Sequence, residues 1–218
     1  MAGDGGRVTL DVFSDVACPW CFVGLRMIQR AQEGWDGPQI DVRWRAFQLA
    51  PDNPPRGRPF REVIEDKLGG PAGYAQMSAR LAAIGAEVGI PFAIDRIGVS
   101  PNTRLAHRVI AQARLSGDPD AVVEALFTGY FCEGVDITDP DEIVALLRAH
   151  GADPHPEQLV ATAQVGEADA LVEEDLAIGA RIGASAVPLL IADGTRGIVG
   201  AQPPEAIRRL VLGTEAAS

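Results

Sequence analysis

The sequence predicts an α/β fold interrupted by a block of helices. Three observations carry that reading. The chain opens on an alternating stretch, Val8–Phe13, then an amphipathic stretch, then a second alternating stretch, Ile40–Phe47. Two strands with a helix between them make a βαβ unit, whose crossover is expected to be right-handed. From about Phe60 to Ala163 the patterns are mostly helical, and the chain then closes on helix, strand, strand and helix. Removing the middle block leaves one compact α/β unit. One domain is therefore expected over residues 1–52 and 165–218, with a helical insertion over 53–164.

Each element has its own justification. Val8–Phe13 and Ile40–Phe47 alternate as half-buried strands do. The helix between them runs from about Pro19 to Arg30, and Gly34-Trp35-Asp36-Gly37-Pro38 turns the chain. Pro51 to Pro59, rich in Pro, Asn, Gly and Arg, marks a boundary or long loop. Within the insertion, helices are expected over Tyr74–Val88, Thr103–Leu115, Ala121–Phe131 and Asp141–His150. Ser100-Pro101 and Asp139-Pro140 both read as helix starts, a capping side chain followed by Pro at the first helical position. A longer helix is expected over Val165–Ile182, ending at Gly183. Val187–Ala192 is a short buried strand, Asp193-Gly194 a hairpin turn, and Arg196–Val199 the partner strand. Pro203-Pro204-Glu205 starts the last helix, through about Leu212.

Composition narrows the function. A chain of 218 residues with 47% hydrophobic content holds one to two domains and ample core. Its longest apolar runs, such as Ala186–Ala192, fall far short of the roughly 18 residues of a membrane span, so no membrane partner is expected. A net charge of −11 repels phosphate backbones, so nucleic acid is not expected either. Met1–Gly6 is small and polar and shows no secretory signal. The expected location is cytoplasmic, where thiols are kept reduced.

Cys18-Pro19-Trp20-Cys21 stands at the joint between the first strand and the first helix. Two cysteines so placed are arranged for reversible dithiol–disulfide chemistry. The nucleophile is the thiolate, and an unperturbed thiol with a pKa of about 8.5 is mostly protonated at neutral pH. Three effects should lower the pKa of Cys18. The helix start offers free N–H groups and the positive end of the macrodipole. Cys21 can donate its S–H from the next turn. Pro19 suits the first helical position and starts the helix directly after the nucleophile. Stabilising the reduced form makes the disulfide more oxidising. Cys18 is expected to be exposed and to attack first, and Cys21 to resolve the mixed disulfide. Trp20 brings no charge between the sulfurs, so the lowering is moderate. The competing reading is half of a zinc site completed by Cys132 and one of His107, His150 or His155. No second closely spaced pair exists in the sequence, and no metal is expected.

Val187-Pro188 is the second feature. Most X–Pro bonds in folded proteins are trans, and the residues alone predict trans here. Yet a Pro at the start of a central strand cannot donate to a ladder and needs a reason to be there. Beside the dithiol, a cis bond would turn the Val187 backbone N–H and C=O towards an extended substrate.

With these features in view the chain resembles a known family. The stretches are Asp15-Val16-Ala17-Cys18-Pro19-Trp20-Cys21, Asn102-Thr103-Arg104-Leu105-Ala106-His107, Glu133-Gly134-Val135-Asp136-Ile137, Ala186-Val187-Pro188 and Gly200-Ala201-Gln202-Pro203. Together they are similar to the DsbA family of thioredoxin-fold oxidoreductases, and within it to the cytoplasmic FrnE-type branch. The resemblance implies a thioredoxin fold, a central mixed sheet flanked by helices, with an inserted all-helical domain. It implies a cis Pro188, Cys18 and Cys21 as the redox pair, and protein disulfide oxidoreductase activity that needs no bound cofactor, with glutathione open as a co-substrate. Substrate contacts are expected from Pro19, Trp20, Val187 and Pro188. Asn102 joins them because resembling families place its segment near the active-site mouth. Partners are thiol- or disulfide-containing proteins or small molecules, met as a monomer or homodimer.

Other residues are weighed against plainer roles. Cys132 reads as a buried small hydrophobe, or more sharply as a third exchanging thiol. Asp15 is a turn or cap residue before it is a proton acceptor for Cys21, and His107 is packed or surface-exposed before it is catalytic. Trp35 and Trp44 belong to core or interface. Phe60, Tyr74 and Phe92 are core before they line a groove. Two other functions compete with the oxidoreductase: a glutathione-dependent isomerase or kappa-type transferase, classes that typically carry Ser at the position of Cys18, and a redox-switched chaperone.

Overall fold

The computed structural model describes residues 6–214. In chain order its first elements are β1 (Arg7–Ser14), α1 (Pro19–Gln32) and β2 (Gln39–Ala46). A short strand β3 (Arg58–Pro59), helices α2 (Phe60–Leu68) and α3 (Pro71–Val88), a second short strand β4 (Val99–Ser100) and helices α4 (Arg104–Ser116) and α5 (Asp120–Thr128) follow. A π-helical turn over Gly129–Glu133 leads to α6 (Pro140–Ala149), α7 (Pro156–Ala163) and α8 (Glu167–Arg181). Strands β5 (Leu189–Ala192) and β6 (Arg196–Val199) and helix α9 (Pro204–Leu212) complete the chain.

These elements form two compact units, one running to Phe47 and resuming at Asp175, the other covering Gln48–Glu174. The expected cuts lay at 52/53 and 164/165, and both differ for a physical reason. At the first, the Phe47 N–H still bonds the Ser14 carbonyl at 3.0 Å, at the end of the β1–β2 pairing. At the second, the Asp175 side chain is bonded to β2. Its Oδ1 receives Arg45 Nη1 at 2.7 Å and its Oδ2 receives the Ala46 N–H at 3.1 Å.

The first unit is a four-stranded mixed sheet in the order β2-β1-β5-β6. β1 and β2 are parallel, from Arg7 opposite Gln39 to Ser14 opposite Ala46. β5 is antiparallel to β1, and β6 to β5. The alternation in β1 sends Val8, Leu10, Val12 and Ser14 to one buried face. Phe22, Leu25 and Ile28 of α1 and Ile207 and Leu210 of α9 are buried. At Asp193-Gly194 both residues have positive φ (47° and 68°), and the backbone there reverses between β5 and β6.

The second unit is helical apart from the β3–β4 pair. Asp139 caps α6 as expected, its carboxylate accepting the N–H of Asp141 at 2.9 Å and of Glu142 at 3.4 Å. Ser100-Pro101 does not start a helix, a correction to the sequence reading. Ser100 is held in β4 opposite Arg58, and its carbonyl accepts Asn53 Nδ2 at 3.1 Å. A residue before proline is pushed towards extended backbone, and the strand pairing uses that preference; α4 begins later, at Arg104. The helix expected from Val165 begins at Glu167, because Gly166 takes a φ of +91° between α7 and α8. The strand expected from Val187 begins at Leu189, after Pro188.

Arg45 is held on two sides, by Asp175 and by Asp11 Oδ1 at 2.7 Å, with side-chain exposures of 11%, 2% and 15% for Arg45, Asp175 and Asp11. Removing one partner of a buried pair leaves an uncompensated charge and a backbone N–H without its acceptor. Asp175→Ala is therefore expected to cost about 3 kcal/mol, the low end for such losses because Arg45 keeps Asp11. Urea unfolding of the two proteins measures it.

Candidate active site

β1 ends at Ser14 and the chain turns through Asp15-Val16-Ala17 into α1. The Asp15 carbonyl accepts the Cys18 N–H at 2.9 Å, and Asp15 Oδ1 accepts the Ala17 N–H at 3.2 Å, so Asp15 shapes this turn. Cys18 is the N-cap of α1 in extended conformation, with Pro19 at the first helical position. Its carbonyl accepts the Cys21 N–H at 3.0 Å, which starts the helix and places Cys21 one turn on.

Both sulfurs are enclosed. Cys21 is 1% exposed, and Cys18, expected to be open to solvent, is only 4% exposed. Its thiol meets the Val187 carbonyl at 3.8 Å. Pro19 and Trp20 between them are half-buried.

The two thiols are driven apart in acidity. The Cys21 S–H, donated to Cys18, is the largest effect holding the Cys18 thiol below its ordinary range. Burial works against it, the backbone N–H groups of Cys21 and Trp20 assist, and the Asp15 charge opposes. Burial is the leading cause that pushes Cys21 well above its ordinary range, reinforced by the bond to Cys18 and its charge. The Ser14 hydroxyl and the Asp15 backbone pull Cys21 the other way. The helix start was expected to contribute to the low Cys18 pKa and does, but the neighbouring thiol contributes more. Ser14 escaped the sequence reading. Its signal was the period of two in β1, which puts it on the face of Leu10 and Val12 at the strand end nearest the motif.

The Val187-Pro188 bond is cis, against the trans expected from the residues alone and as the resemblance implied. The Pro188 carbonyl accepts the Gly200 N–H at 2.7 Å, which ties this loop to the end of β6.

Asn102 belongs to the second unit. Its carboxamide oxygen accepts Gln48 Nε2 and the Arg104 N–H, both at 3.0 Å. Its nitrogen donates to the carbonyls of Pro51 at 3.2 Å and Asn53 at 2.8 Å. A carboxamide has two hydrogens to give, and both are used. Asn102 thus ties residues 48–53 to the start of α4.

Cys132 is half-buried in the π-helical turn, where a fully buried residue was expected. His107 and Trp44 are buried, and Trp35 donates its Nε1–H to the Pro38 carbonyl at 2.7 Å. Phe60 packs edge-on against Tyr74 and Phe92 against Phe131, at ring separations of 6.4 and 5.6 Å. Among the described residues no three Cys, His, Asp or Glu side chains gather as a metal site, and no helix is long and apolar enough to cross a membrane.

A model of the DSBA-like thioredoxin domain matches residues 9–211. The chain belongs to the DSBA-like thioredoxin domain family. A solved member of similar structure is a probable DsbA oxidoreductase, SCO1869, from Streptomyces coelicolor, with 26% sequence identity and a TM-score of 0.79 over 97% of this chain and 93% of that one. The cytosolic disulfide reductase DsbM from Pseudomonas aeruginosa, solved also with GSH, shares the fold at 18% identity and a TM-score of 0.62, covering 93% of this chain and 92% of that one. A 2-hydroxychromene-2-carboxylate isomerase shares it too, at 15% identity and a TM-score of 0.62, covering 94% and 91%. Proteins that share a fold can differ in chemistry, so the fold alone does not assign one.

The acidity of Cys18 gives a direct expectation. Its alkylation by iodoacetamide, followed by mass spectrometry against pH, should show a midpoint below the roughly 8.5 of an unperturbed thiol. Cys21→Ala removes the strongest acidifying contact and should move that midpoint up, so that less Cys18 is thiolate at neutral pH. An unmoved midpoint would mean that the Cys21 S–H does not hold the charge.

Proposed function

We propose that this chain is a thiol–disulfide oxidoreductase working through Cys18 and Cys21. The observation that carries the reading is the geometry at the start of α1: Cys18 caps the helix and its carbonyl accepts the Cys21 N–H at 3.0 Å, which sets both thiols within one turn.

The steps balance as follows. The Cys18 thiolate attacks one sulfur of a substrate disulfide; a Cys18–substrate bond forms, the substrate S–S bond breaks, and the other substrate sulfur leaves as thiolate. Cys18 no longer carries charge, so two of the effects that keep Cys21 protonated disappear with it. Cys21 gives up its proton to the departing sulfur and attacks Cys18, and the second substrate thiolate leaves. The substrate has gained two electrons and the protein holds a Cys18–Cys21 disulfide. Run backwards, the same steps oxidise a substrate dithiol. A stabilised thiolate favours the reduced pair and hence the oxidising direction, while the compartment and the partner decide the flux.

Pro19 and Trp20 flank the reacting sulfur, and the Val187 backbone beside it receives an extended segment of the substrate. The substrate class is a protein or small molecule bearing thiols or a disulfide. Glutathione serves as co-substrate, a role supported by the GSH complex of DsbM, and no bound cofactor takes part. The setting is cytoplasmic, the working form a monomer or homodimer, and neither nucleic acid nor membrane is a partner. The likeness to an isomerase keeps glutathione-dependent isomerisation as the second reading, and a cysteine at both 18 and 21 weighs against it.

Insulin reduction and scrambled-RNase refolding test the proposal. Cys18→Ser should lose activity in both by orders of magnitude, as when a nucleophile is removed. Cys21→Ser should accumulate a mixed disulfide whose mass reports the partner. Activity that survives Cys18→Ser would replace the oxidoreductase by the isomerase or a chaperone.

A further inference from the structure

We propose that Gly24 is a positioning residue of the dithiol site: its missing side chain lets α1 come close enough to Pro188 to set how the Val187 carbonyl meets the Cys18 sulfur. The inference rests on the oxidoreductase reading for one of its readouts and on geometry for the rest.

Gly24 lies in the interior of α1, one turn past Cys21 on the buried side. Glycine there weakens a helix relative to alanine, and Gly24 is not among the glycines with positive φ, so the backbone does not require it. Space does. A Cβ at position 24 would stand 3.0 Å from Pro188 Cγ and 3.5 Å from Pro188 Cβ, the first inside normal carbon contact distance. Pro188 has little room to retreat. Its carbonyl holds the Gly200 N–H at 2.7 Å, and Leu189 beside it is paired with Val199. On its other side the Val187 carbonyl receives the Cys18 thiol at 3.8 Å. A side chain at 24 would therefore press on the same short segment that touches the nucleophile. Gly179 in α8 supplies the contrast: a Cβ there would meet Phe13 no closer than 3.5 Å, an ordinary contact.

The test compares Gly24→Ala, Gly179→Ala, Pro188→Gly and the double variant Gly24→Ala/Pro188→Gly. The readouts are the pH midpoint of Cys18 alkylation and kcat/KM for insulin reduction. Gly24→Ala is expected to lose about tenfold in kcat/KM, since a misplacement of 1 Å costs roughly a hundredfold and the shift here is smaller. Its Cys18 midpoint is expected to move down, because a carbonyl oxygen pushed away no longer favours the protonated thiol. Gly179→Ala should move neither. With the ring removed by Pro188→Gly, adding the methyl at 24 should change the midpoint no further. A folded Gly24→Ala protein with wild-type midpoint and kcat/KM overturns the proposal, and so does an equal midpoint shift in both backgrounds. If Gly24→Ala does not fold, recovery of folding in the Pro188→Gly background supports the contact, and failure in both overturns it. Wild-type protein without disulfide turnover would remove the oxidoreductase reading, while the alkylation midpoints would still decide the role of Gly24.

Discussion

Two thiols buried within one helical turn oppose each other's ionisation. Two thiolates cannot both be sustained in a place nearly closed to water, since burial penalises each charge and each charge penalises the other. The neighbouring thiol holds Cys18, at the end of the helix where N–H groups are unsatisfied, below its ordinary range. Burial pushes Cys21, one turn deeper, well above its ordinary range. In the proposed reaction that asymmetry makes Cys18 the attacking thiol and Cys21 the resolving one.

The scaffold supplies the asymmetry by simple means. A strand ends, four residues turn, and a helix begins on Pro19 with Cys18 as its N-cap. From the far end of the chain the Val187-Pro188 loop reaches Cys18, held in register by β5 and β6. Asp175 returns the chain to the sheet through Arg45 and the Ala46 N–H. Family membership accounts for this frame and for no more than the frame, because an isomerase shares it. In the proposed function the two cysteines carry the chemistry.

Much of this was legible in advance. β1 and β2 announce themselves by strict alternation, the β5–β6 hairpin by Asp193-Gly194, and α6 by Asp139-Pro140, each because a local backbone preference agrees with its surroundings. The dithiol was legible for the same reason: strand, CxxC and helix are consecutive in sequence, so their geometry is local. What escaped was set at a distance. Ser100-Pro101 has the form of a helix start but is taken by a strand 42 positions away, at Arg58. Asn102 offers hydrogen bonds that residues 48–53 consume. Cys132, small and apolar in character, stays half-buried in its π-helical turn.

By itself, then, the sequence determined which residues form the central elements and which pair of sulfurs meets a helix start, because each of these depends on neighbours within a turn or a period of two. Only the tertiary structure decided that Cys18 is enclosed, that Pro188 rests against Gly24, and where each unit begins and ends. Those outcomes depend on atoms far apart in the chain arriving in the same space, and no local preference encodes the distance between them.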